Sequence, residues 1–93
     1  MPSYLVETYL GRGAAGERRA REERAILAAK ALTRTGIHVR YAGSIHVPED
    51  EICFFVFEAA NARTVAVAAH RAALEPLRVV EAVSSLAIES PEK

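Results

Sequence analysis

Apolar and polar residues alternate strictly from Ile37 to Val47. Ile37, Val39, Tyr41, Ile45 and Val47 are separated by His38, Arg40, Ala42, Ser44 and His46. Period two predicts a half-buried strand. Pro48, Glu49 and Asp50 then form a turn, because proline cannot continue a ladder. The next run, Ile52 to Glu58, is apolar at consecutive positions. Ile52, Phe54 and Val56 face one way and Cys53, Phe55 and Phe57 the other, which predicts a central strand covered on both sides. Upstream, Ser3–Leu10 carries the β-formers Tyr4, Val6, Thr8 and Tyr9 and reads as a first strand.

Two segments have helical period. From Ala15 to Arg34 the pairs Glu17–Arg21, Arg18–Glu22 and Arg19–Glu23 stand at i,i+4 on a solvated face. Ala20, Ala25, Leu27, Ala28, Ala31 and Leu32 fall on one arc about 160° wide, the predicted buried face. Thr35-Gly36 ends this helix, with Gly36 as a left-handed C-cap. A second helix starts at an Asn61 N-cap and runs to about Ala73, with Val65, Ala69 and Ala72 on one side. Pro76 breaks it, Leu77–Ile88 reads as a last strand, and residues 90–93 form a polar tail. The order β-α-β-β-α-β predicts a single α+β domain over residues 1–89, a ferredoxin-like sandwich. Two helices cover only one face of such a sheet. The two-sided apolar run at 52–57 therefore predicts a second copy packed sheet on sheet, as a homodimer of the dimeric α+β barrel type. The alternative is that Phe55 and Phe57 sit under loops or the C-terminal tail.

Composition narrows the function. Hydrophobic residues make up 51% of 93 residues, enough for a core, and 12 basic residues balance 12 acidic ones. A neutral chain has no global attraction to nucleic acid or anionic membrane. The RNA recognition motif shares this element order. However, Glu51-Ile52 stands where that motif has a basic residue and glycine, and Leu5 or Val6 where it has an aromatic. The single cysteine, Cys53, rules out an intrachain disulfide and a zinc ribbon. No apolar run reaches membrane-spanning length, and MPSYLVETYL lacks the basic start of a secretory leader. These features predict a cytoplasmic protein.

The stretch GRGAAG, Gly11 to Gly16, spells a dinucleotide-binding turn. It lacks the required context, an acid at the end of the second strand and a parallel sheet, and reads as a flexible crossover. Arg12 on it could close over an anionic ligand. His38 and His46 are roughly 26 Å apart along a strand and cannot share an ion within one chain. His70 falls on the exposed side of the second helix. His46, beside Ser44, Glu49 and Asp50, is the better metal ligand, in a site suited to Ni, Zn or Mn. Glu7 and Glu81 each interrupt an apolar strand, and Glu7 can approach Glu81, Arg78 or Tyr9. A carboxylate on a covered face needs a partner or is driven toward its neutral form, which suits a general base or a metal ligand. Glu58 reads as a charge at the second helix's N-terminus. The chain has no Ser-His-Asp signature, P-loop or HExxH.

The runs YLVETYL, SIHVPEDEICFFVFEA and VVEAVSSL together resemble a family of small bacterial proteins of unknown function, the nickel-binding-protein-like ferredoxin-like α/β family. The resemblance spans nearly the whole chain through Glu7, Ser44, Cys53, Glu58-Ala59 and Glu81. It implies a homodimer packed through its sheets and, for some members, bound nickel. Many members carry a histidine at about the position of Ala68. Here the nearest, His70, lies about 200° round the helix. Taken together, the sequence predicts a dimeric binder of a small ligand or a divalent transition metal (Ni or Zn), with Glu7, Tyr9, Ser44, Cys53 and Glu81 lining the pocket. Glu7 and His46 are the candidate metal ligands. Two other classes stay open. One is a cofactor-independent monooxygenase or isomerase with Glu7 or His46 as base, and the other is a structural or partner-binding module.

Overall fold

The computed structural model of the chain describes residues 1–83. Strand β1 spans Ser3–Tyr9, helix α1 Glu17–Arg34, β2 Val39–Val47, β3 Ile52–Ala59, α2 Ala62–Arg71 and β4 Arg78–Ala82. Short 3-10 turns at Arg12–Ala14 and Pro48–Asp50 follow β1 and β2. The strands form one antiparallel sheet in the order β2-β3-β1-β4. This α+β arrangement is compatible with a ferredoxin-like fold. The predicted strand beyond Val83 and the tail at 90–93 lie outside the described residues. No described helix is long and apolar enough to cross a membrane.

Both central strands alternate as their sequences demand. Tyr4, Val6 and Thr8 of β1 and Cys53, Phe55, Phe57 and Ala59 of β3 are buried. They join Ala25, Ala28, Ala29 and Leu32 of α1 and Val65, Ala68 and Ala69 of α2 in one core. Both helices therefore cover the same sheet face, and Phe55 and Phe57 sit beneath them rather than under loops. The helix ends follow from their capping residues. Asn61 accepts from the Thr64 N–H at 2.9 Å, the N-cap expected from its side chain. Gly36, at φ +94°, closes α1, with the Ile37 N–H on the Leu32 carbonyl and the Gly36 N–H on the Thr33 carbonyl. That closure uses Ile37, so β2 begins at Val39.

Two expectations from periodicity are corrected. The buried face of α1 is Ala25, Ala28, Ala29 and Leu32, whereas Ala20 is exposed and Leu27 is 64% exposed. An alanine-rich helix has little contrast between its faces. The bulky Phe55 and Phe57 below select a stripe of alanines that lets α1 approach closely. The second correction concerns β2. A bulge between Tyr41 and Gly43 shifts its register against β3. Val39 and Tyr41 face the helices, but beyond the bulge Ser44 and His46 do, opposite Phe55 and Cys53. Ile45 and Val47 are turned to the open face. Gly43, at φ +147°, adopts a backbone conformation that other residues rarely take. The strict alternation in the sequence thus spans a change of face, and His38 lies exposed outside the strand.

Candidate functional site

The sheet face turned away from the helices is apolar. Its register sets out three rows across the strands. Ile45, Phe54, Glu7 and Arg78 form one, Gly43, Val56, Leu5 and Val80 the next, and Arg40, Glu58, Ser3 and Ala82 the third. Val47 and Ile52 extend the apolar surface at one end. Ile45 is 55% exposed, and Leu5, Val47, Ile52, Phe54, Val56 and Val80 are half-buried. Two ion pairs flank this strip at diagonally opposite corners. Arg78 donates to Glu7 at 2.6 Å, and Arg40 donates to one oxygen of Glu58 through Nε at 2.9 Å and Nη2 at 2.7 Å. Beside the second pair lies a hollow of about 500 Å³ with Leu5, Val56 and Ile45 as apolar walls and Arg40–Glu58 on its rim. Gly43 helps to form it, because a side chain there would project into open space.

The residues singled out from the sequence divide between the two faces. Glu7 is on the open face, paired with Arg78. Tyr9 is also there, at the end of β1 and 59% exposed. Glu81 is exposed and opposite Tyr4 in register, so it has the other parity and does not meet Glu7. Ser44, His46 and Cys53 face the helix layer by their register, although Ser44 also borders the hollow on the open face. The five predicted pocket residues therefore do not line one pocket. Nor can Glu7 and His46 share an ion, because the sheet stands between them. Among the described residues no three His, Cys, Asp or Glu side chains gather closely enough to hold a metal. The donor pair expected for nickel or zinc, Glu7 with His46, is therefore not assembled within one chain. His70 is exposed, as its helical position predicts.

GRGAAG is also clarified. The Arg12 N–H donates to the Glu51 carboxylate at 3.2 Å, and the Leu10 N–H donates to the Glu51 carbonyl at 2.9 Å. Arg21 donates to the Tyr9 carbonyl at 3.0 Å. The predicted flexible crossover is thus a turn pinned to the start of β3. A phosphate there would meet the Glu51 carboxylate. Glu58 is likewise reassigned. Asn61 caps α2, while Glu58 pairs with Arg40.

On the helix side, β2 and α1 build a polar cluster that periodicity does not reveal. The Tyr41 hydroxyl donates to the Glu22 carboxylate. Its ring packs edge-on against Phe57, with centroids 5.3 Å apart. Burial, and then the Glu22 hydrogen bond, push the Tyr41 ionisation far above its ordinary value, while Ser44 acts in the opposite direction. Burial also pushes the Cys53 thiol up, against the pull of Arg18 and Arg21, and the side chain has no exposed surface. It is a core residue with no access for reaction. The Tyr41 shift has a defined sign. The unfolded chain ionises Tyr41 near the ordinary 10.0, whereas the folded chain holds the proton to higher pH. Its stabilisation is complete below that value and is lost as pH rises above it. Stability measured by urea unfolding should therefore fall more steeply above pH 10.0 in the parent than in Tyr41→Phe. Equal slopes would show that the phenol is not held protonated by the fold.

No family model, curated protein or solved structure matches the chain.

Proposed function

We propose that the protein is a homodimeric binder of a small, largely apolar molecule. Two copies stack their open sheet faces and enclose the hollow beside Arg40–Glu58. The observation that carries this reading is the apolar face of Leu5, Ile45, Phe54, Val56 and Val80, which neither described helix covers. Contiguous apolar surface of this kind marks an interface or a ligand groove. Sheets pack face to face about 10 Å apart, and a two-fold axis lets the same patch serve both copies. Each flanking carboxylate already has its arginine, so two such faces meet without net charge. The ligand would rest on Leu5 and Val56 and present one polar group to the guanidinium and the second carboxylate oxygen at the rim. A general base is not part of this reading, because Glu7 is held by Arg78 and His46 lies in the other layer.

Native mass spectrometry of protein purified without a tag tests the proposal. The expected species has twice the 10.1 kDa chain mass and carries a small bound molecule. Glu58→Ala should weaken retention of that molecule about tenfold, the effect of losing one charged hydrogen bond. A bare 10.1 kDa monomer would overturn the reading.

A further inference from the structure

A second hollow lies toward the layer opposite the open sheet face. A groove of about 390 Å³ runs between α1 and β2. Ile26 and Ala29 form its helix wall, and Val39 and Tyr41 its strand wall. Ile26 is 39% exposed although it is branched, apolar and mid-helix. Three cations border the groove, Lys30, Arg34 and Arg40, and among the described residues no carboxylate lines it. Arg40 is already neutralised by Glu58. Lys30 and Arg34 stand one helical turn apart, and among the described residues neither forms an ion pair. Like charges at i,i+4 repel each other. Their sum also exceeds the roughly half unit of negative charge at the C-terminal end of α1.

The backbone limits what can lie there. The Thr33 hydroxyl donates to the Val39 carbonyl at 3.0 Å and receives the Val39 N–H at 3.4 Å. The β2 edge is thus occupied at Val39, and an added peptide strand has no partner there. What remains is an apolar trough with an unbalanced positive end.

We propose that this groove binds a small amphiphilic carboxylate, its apolar body along Ile26, Ala29, Val39 and Tyr41 and its anionic head at Lys30 and Arg34. The site does not depend on the sheet-face reading, because it lies in the helix layer.

Octanoate and octanol are suitable probes, added to the full chain in an amide NMR titration below micelle-forming concentrations. Octanoate should shift the amides of Ile26, Lys30, Thr33, Val39 and Tyr41 and saturate. Octanol should bind the same residues about fivefold more weakly, the difference expected for two exposed charge contacts. In Lys30→Glu/Arg34→Glu that preference should vanish. In Ile26→Asp both probes should weaken. The three substituted side chains, Ile26, Lys30 and Arg34, are exposed, and an unchanged amide spectrum away from the substitutions checks that each variant is folded. Shifts elsewhere, no shifts, equal binding of octanol, or a preference retained in the double variant would each overturn the proposal.

Discussion

Phe54→Glu is expected to convert the protein from a dimer of twice 10.1 kDa to a folded monomer. Phe54 lies in the interior of the open face, in register with Ile45 on one side and Glu7 on the other. Its neighbours Val56 and Ile52 share that face. A carboxylate here has no cation to meet, since Arg78 is already engaged by Glu7 at 2.6 Å. Burying an unpaired charge costs several kcal/mol even after relaxation. A two-fold interface repeats the substitution. About 3 kcal/mol per copy corresponds to roughly a 10⁴-fold weaker dimer. The monomer fold should survive, because Phe54 points away from the helix-covered core. Light scattering after gel filtration measures the masses, and circular dichroism checks the fold. Glu81→Lys is the control, exposed and of opposite parity, and should leave the mass unchanged. A parent protein that runs as a monomer, or a Phe54→Glu variant that stays dimeric, would remove the sheet-face interface.

The second large effect belongs to the core. Phe57 has no exposed surface and packs against Tyr41, with ring centroids 5.3 Å apart. Phe55 is buried beside it, with its ring 6.5 Å from that of Tyr41. Around these rings the core consists mainly of alanine and valine, from Ala25, Ala28 and Ala29 on α1 to Val65, Ala68 and Ala69 on α2. Small side chains on backbone-close helices cannot swing in to fill a phenyl-sized void. Phe57→Ala should therefore cost about 3–5 kcal/mol, near the upper range for such changes. A domain of this size has only about 5–15 kcal/mol in total. Urea unfolding at one fixed protein concentration should show a large fall in midpoint with little change in slope. A loss below about 1 kcal/mol would mean that the phenyl ring is not closely packed.

How much of this was legible depends on the element. The β3 run announced a strand with two apolar faces, and it is a central strand whose inner face carries Phe55 and Phe57. Asn61 and Gly36 marked helix ends because their side-chain and backbone preferences act over a few residues. The face of α1 was not legible, because alanine on every side leaves the choice to the sheet below. The candidate site was legible only in part. Strand order offered Glu7 three neighbours, Glu81, Arg78 and Tyr9, and register selects Arg78. Cys53 shares the helix-covered face of Phe55 and Phe57, and Ser44 and His46 turn to that layer. For Ser44 and His46 the reason is the bulge at Ala42, one extra residue that reverses every later side chain of β2. The same residue hid the Arg40–Glu58 pair, since counting back from the hairpin without it sets Tyr41 opposite Glu58.

The sequence by itself determined the local and periodic features: the element order, the two-sided β3, the helix caps and the neutral charge balance. Each follows from interactions within a few residues or from composition. Only the tertiary structure decided which residues share a face. Parity along a strand depends on register, and register depends on a bulge that pays for its irregularity through contacts with a neighbouring strand. That is why Glu7 and His46, apparent partners along the chain, lie on opposite sides of the sheet. It is also why Arg40 and Glu58, 18 residues apart, form the rim of the hollow on its open face.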